Sequence, residues 1–183
     1  MREVLARLRP EGGQSGEGRE AGRPAKRLLA IFTGVSEGAE QALAALAGMG
    51  KEGWGLAIYV SPWGERTLGA EVMQRLARLG AVLRDAQVPD CAAAVADVDA
   101  VVVATLSRNT AANVALLAPD STAAELIVQA LLKGKPVAAA WDGVAAEVAS
   151  APPALKNLVQ GYLRTLGPRG GGGCRGRTGG GIG

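Results

Sequence analysis

Residues 99–121 read DAVVVATLSRNTAANVALLAPDS, and the change of character at Ala104 decides the fold. Asp99 to Ala104 is a continuous run rich in valine, the pattern of a strand buried on both faces of a parallel sheet. From Thr105 the chain turns to small hydrogen-bonding side chains with one arginine, Arg108, and then to helical spacing over 109–117. A buried strand that ends in hydroxyls and leads into a helix is the repeating unit of strand–helix folds.

The same alternation extends on both sides. Leu28 to Thr33 reads as a first strand closed by Gly34, and Ala39 to Met49 as a helix with Ser36 as its expected N-cap. Gly55 to Val60 is a second strand, Glu65 to Leu79 a second helix, and Ala81 to Leu83 a short strand, while residues 91–98 (CAAAVADV) read either way. After the central strand, 122–133 is helical; Asp120 and Ser121 both suit its cap, and Thr122-Ala-Ala-Glu125 has capping-box spacing. Lys135 to Ala140 is the next strand, and 153–165 a last amphipathic helix. The order implies a three-layer, doubly wound α/β sheet, mainly parallel and Rossmann-like, with right-handed crossovers.

Composition sets the limits. Residues 1–9 (MREVLARLR) place Val4, Leu5 and Leu8 on one helical face; 10–25 form a Gly/Ser/Glu-rich linker; 167–183 are rich in Gly and Arg. The low apolar content of 10–25 and 167–183 cannot offset the entropy of ordering, so the expected domain is 26–166. The formal charge is +3, but residues 1–27 hold seven Arg/Lys against four Glu, and 164–183 four Arg and no acid. The segment between them carries nine bases and thirteen acids, which argues against nucleic-acid binding by the folded part. No apolar run approaches the ~20 residues of a membrane helix, and no signal peptide is apparent, so a cytoplasmic protein is expected. Cys91 and Cys174 form no CxxC, and the absence of histidine excludes His-based triads, His metal sites and His general acids.

In doubly wound sheets, ligands bind beyond the carboxyl ends of the strands, where helix N-termini present free N–H groups. Three such ends carry hydroxyls or glycine: Thr33-Gly-Val-Ser-Glu-Gly38, Ser61-Pro-Trp63 and Thr105-Leu-Ser-Arg-Asn-Thr110. All three are expected on one edge. Each also has the composition of an ordinary capped turn.

The run from Ala104 to Ala140 resembles the flavoprotein superfamily of homo-oligomeric flavin-containing cysteine decarboxylases, prenyl-flavin synthases and the second subunit of dipicolinate synthase. Ser107, Asn109 and Thr110 match its PxSxNT loop, Asp120 and Ser121 its Ala-Asp-Ser turn, and Gly134-Lys-Pro-Val137 the start of its next strand. Thr33-Gly-Val-Ser36 is similar to its first-strand loop, and Tyr59-Val-Ser61 to its second-strand serine; the resemblance covers about residues 27–142. It implies bound FMN, with Gly34, Val35, Ser36 and Ser61 around the phosphate. Ser107, Arg108, Asn109 and Thr110 would run along the ribityl chain and ring edge. Arg108 would face anionic reduced flavin or an acidic substrate, or else be a solvated surface arginine. The resemblance also implies a homo-oligomer, a trimer or larger.

The departures are specific. The decarboxylases' histidine is absent, Ala138-Ala-Ala-Trp-Asp-Gly143 stands where their PxMNxxMW segment would be, and Glu125 aligns near the arginine of prenyl-flavin synthases. Flavin binding is therefore expected without either known reaction. The expected activity is redox or flavin-dependent chemistry; the alternative is a noncatalytic flavin carrier or accessory subunit. A nicotinamide site is disfavoured, because the first turn is not GxGxxG. Asp120 reads as a helix cap. Trp63 and Trp141, each following a strand, either cover a flavin face or pack on the sheet edge. Met1 to Arg9 resembles the peptides that dock enzymes to bacterial microcompartment shells, which adds a shell or partner enzyme to the expected partners.

Overall fold

The computed structural model describes residues 26–166. The targeting helix expected at 1–9, the linker at 10–25 and the tail at 167–183 lie outside the described residues.

Five strands, β1 (Lys26–Phe32), β2 (Trp54–Val60), β3 (Ala81–Leu83), β4 (Ala100–Thr105) and β5 (Val137–Ala139), form one sheet in the order β3-β2-β1-β4-β5. Every pairing is parallel. The two inner strands explain the sequence signal. All six residues of β4 are buried, and Leu28, Ala30 and Phe32 of β1 face one layer while Leu29 and Ile31 face the other. A strand covered on both sides must be apolar throughout, not alternating.

Helices α1 (Ala39–Lys51) and α2 (Pro62–Leu79) cover the first face. On the second lie α3 (Cys91–Ala96), α4 (Arg108–Ala115), α5 (Thr122–Leu132), α6 (Asp142–Glu147) and α7 (Pro153–Leu166). The layers change at β1: the chain moves outward through β2 and β3, then returns to β4 on the other side. This reversal opens the ligand-binding crevice of doubly wound folds.

Local details differ from the sequence reading. Ser36 does not cap α1; Gly38, at φ 83°, holds the N-cap position with no side-chain bond. Ser121, not Asp120, caps α5 through Ala124 N–H, so Thr122 and Glu125 form no capping box. Glu125 instead accepts from Gln129 Nε2 at 2.8 Å, and Asp120 from Asn113 Nδ2 at 2.5 Å. Helix α2 starts three residues earlier than expected, on a proline at N1, and is broken at Gly69 (φ 74°). The ambiguous 91–98 segment opens as helix α3, capped by Asp90. Helix α6 was not anticipated: six residues carry too little periodicity to show.

At the change of layers, two threonines join β1 to β4. Thr33 N–H donates to Thr105 Oγ1 at 3.0 Å, and Thr33 Oγ1 donates to the Thr105 carbonyl at 2.9 Å. Thr33 Oγ1 also accepts from Ser107 N–H at 2.8 Å, and both threonines are buried. Thr33→Val keeps the shape but strands Ser107 N–H, and is expected to lower unfolding free energy by about 2 kcal/mol. Urea denaturation against wild type measures the loss.

Candidate functional site

The three hydroxyl-bearing strand ends meet at the carboxyl edge, as expected. The 33–38 loop is held to the 105–110 loop by the threonine pair, and Ser61 N–H donates to the Phe32 carbonyl at 3.0 Å. Gly64 lets α2 approach closely: a Cβ there would sit 3.1 Å from the Phe32 carbonyl oxygen and 3.2 Å from that of Thr33. Gly143 does the same for α6, with a Cβ position 2.8 Å from Val35 Cγ2 and 3.5 Å from the Leu106 carbonyl oxygen. Sequence reasoning missed this fourth component, as well as the pairing of Thr33 with Thr105. The threonines stood in the quoted loops, but their partnership depends on which strands are neighbours.

The expected site residues take distinct positions. Ser61 is buried and accepts from Gly64 N–H at 3.0 Å, capping α2. Ser107 caps α4 through Thr110 N–H at 3.3 Å, and its hydroxyl lies 3.0 Å from that of Thr110, which is buried. Val35 N–H donates to the Thr33 carbonyl at 2.8 Å. Ser36 and Asn109 are exposed, and neither side chain has a partner among the described residues. Arg108 is half-exposed, with Nη2 at 3.2 Å from Glu147 Oε1 on α6. It is thus an anchored arginine, neither simply solvated nor uncommitted.

The helix starts differ in a way that matters chemically. Serines cap α2, α4 and α5, whereas α1 has no side-chain cap. Ala39 N–H reaches the Ser36 carbonyl, but the N–H groups of Gly34, Ser36, Glu37 and Gly38 have no acceptor among the described residues. A row of free donors at the positive end of a thirteen-residue helix is suited to an anion. The donor set fits the phosphate of FMN.

The tryptophans separate. Trp54 starts β2 and lies under Lys26, 5.5 Å from its ring centroid, at the far end of the strand. Trp63 is 62% exposed, lies against Gly34 and carries Arg66 at 5.1 Å from its ring centroid. Trp141 is half-buried, and its Nε1 is buried with no acceptor among the described residues. An unmatched donor of this kind costs about 1–3 kcal/mol.

A second polar group lies on the α3/α5 side of the sheet. Buried Tyr59 donates to Asp85 Oδ1 at 2.5 Å, and burial, the hydrogen bond and the aspartate charge push its phenol well above the usual range. Cys91 Sγ lies 4.0 Å from the Thr122 carbonyl, and burial, then the charges of Glu125, Asp90 and Asp85, raise its thiol. Among the described residues, no group of three acidic or cysteine side chains is placed to hold a metal.

Neither a family model nor a curated protein sequence matches the chain. Solved structures do match, and the class they define is a three-layer Rossmann-like flavoprotein fold. AnUbiX, crystallised with FMN and dimethylallyl pyrophosphate, aligns with a TM-score of 0.64 at 15% identity, over 81% of this chain and 76% of its own. The dodecameric FMN-dependent UbiX-like decarboxylase of Escherichia coli O157:H7 gives 0.63 at 15%, over 80% and 78%. DmrB of Burkholderia xenovorans, a cubic protein cage for redox transfer in complex with FMN, gives 0.51 at 21%, over 64% and 66%. The expected fold is thereby established: this chain is similar in architecture to the superfamily whose motifs the 104–140 run resembles.

Two outcomes follow from the site's packing. A Gly34→Ala side chain would collide with Trp63 Cδ1, and because Trp63 is exposed it can swing away. The substitution should change Trp63 emission, read in a Trp54→Phe/Trp141→Phe background, with little change in thermal midpoint. Cys91, with its raised thiol, should react with iodoacetamide more slowly at neutral pH than a free thiol and reach its full rate only at higher pH. Alkylation rates against pH in Cys174→Ser protein test this.

Proposed function

We propose that the chain is an FMN-binding flavoprotein whose cofactor lies at the carboxyl edge between β1 and β4. The observation that carries the reading is the uncapped start of α1 at the crevice where the layers change. The phosphate would be held by the free N–H groups of Gly34 and Ser36 to Gly38 together with the Ser36 hydroxyl, with Ser61 beneath them. The α4 start, Ser107 to Thr110, would supply main-chain donors, the Asn109 amide and the hydroxyls to the ribityl chain and ring edge. FMN would bring electron or hydride transfer. The chain would bring binding, orientation and electrostatics.

A noncatalytic flavin carrier or accessory subunit is the second reading, favoured by the site's acid–base poverty. The ionisable side chains of the 33–38 and 105–110 loops are Glu37, which is exposed, and Arg108, which Glu147 already pairs. The reading includes a homo-oligomer of three or more chains, supported by the dodecameric E. coli and cage-forming Burkholderia neighbours. It also includes docking of Met1 to Arg9 on a shell or partner enzyme, supported by the spacing of Val4, Leu5 and Leu8 alone. No helix among the described residues is long and apolar enough to cross a membrane.

The purified protein should show the visible absorption of oxidised flavin and release FMN on heating. Replacing Ser36 and Asn109 together by alanine should weaken FMN binding about tenfold or more while leaving the urea midpoint unchanged. A protein that stays colourless after incubation with FMN would overturn the reading.

A further inference from the structure

Helix α6 has two sides. Gly143 faces Val35 and the Leu106 carbonyl, whereas Val144 and Ala145, with Val148 and Ala149 just past the helix end, line a cleft of about 400 Å³ against α7. That volume lies in the range of small-molecule sites, roughly 300–1,000 Å³. Across the cleft, α7 contributes Val159 and Leu163 as an apolar row and Lys156, Gln160 and Arg164 as a polar one. The polar three are spaced four apart, so they form one ridge about 12 Å long.

The ridge is electrically unbalanced. Neither Lys156 nor Arg164 is paired with a carboxylate among the described residues, and no acidic side chain lines the cleft. Of the two acids of α6, Asp142 and Glu147, neither lines the cleft, and Glu147 is engaged by Arg108. Trp141, whose indole N–H is buried without an acceptor, lines the same cleft. Apolar walls with cationic and neutral donors and a single side-chain acceptor, on Gln160, describe a site whose ligand supplies a negative charge and an apolar body.

We propose that the α6/α7 cleft binds an amphipathic organic acid, its anionic group on Lys156 and Arg164 and its apolar body against Ala145, Val148, Ala149 and Leu163. The site is separate from the FMN reading and stands if that reading fails.

Isothermal titration calorimetry of the full chain with 4-phenylbutyrate, 4-phenyl-1-butanol and 4-phenylbutylamine tests it, with flavin content recorded for every sample. Phenylbutyrate should bind and the alcohol and amine should be weaker by about tenfold or more, the size of one lost charge-assisted hydrogen bond. Lys156→Ala and Arg164→Ala should each weaken phenylbutyrate about tenfold. Ala149→Trp, which fills the cleft from an exposed position, should abolish binding. Circular dichroism checks that each variant is folded, and the two α7 substitutions, on side chains at the cleft's rim, decide the matter if Ala149→Trp is not. Absence of phenylbutyrate binding, equal binding of the alcohol, or binding unchanged in Lys156→Ala and Arg164→Ala overturns the proposal. Loss of flavin with phenylbutyrate binding intact would count against the FMN site alone.

Discussion

The hydrogen bonding between Thr33 and Thr105 is the constraint on which the carboxyl edge depends. The two residues are 72 positions apart and lie at the ends of neighbouring strands whose following helices depart to opposite faces. Past the register shift at Ile31/Phe32, Thr33 N–H still reaches the Thr105 carbonyl at 3.2 Å, and the threonine hydroxyls add further bonds to that contact. Because Thr33 Oγ1 also accepts from Ser107 N–H, the start of α4 is located relative to β1 as well as β4. Two small side chains thus fix where two loops begin. In a buried position, each unmatched donor would be costly, so the arrangement has little freedom to drift.

The electrostatics of this edge come from the backbone more than from side chains. Serine hydroxyls satisfy part of the first turn of α2, α4 and α5, and the start of α1 alone among the longer helices with a described cap has none. Gly38 makes this possible by taking a left-handed conformation that brings the chain into the helix without a side-chain bond. The net charge of the chain says nothing about such a site, because its positive character resides in oriented N–H groups and the charge of Arg108 is largely offset by Glu147.

Strands and most helices were legible in the sequence because burial on both faces leaves an unmistakable apolar run, as in β4, and one-sided burial leaves a helical period, as in α1. Caps were less legible. Ser36, Asp120 and Thr122 have the right chemistry, but the structure uses Gly38 and Ser121, a choice made by where the preceding loop arrives. The edge was legible as three polar loops and not as a constructed site, since the Thr33–Thr105 bonds, the approach of Gly64 and Gly143, and the Arg108–Glu147 pair all join residues distant in sequence. The orphaned indole of Trp141 had no signal at all, because an unmet hydrogen bond is a property of surroundings.

Helix α6 shows how tightly these parts are tied. At six residues it lacks the length to persist alone, so its position is set by what it touches. Val144 is fully buried against the second core layer, Glu147 holds Arg108, and Gly143 sits so close to Val35 that a methyl group could not be added without one of them moving. The 33–38 loop and the α6/α7 cleft therefore both border on α6, the loop at Gly143 and the cleft at Val144 and Ala145. A side chain added at Gly143 would press on Val35 in the 33–38 loop.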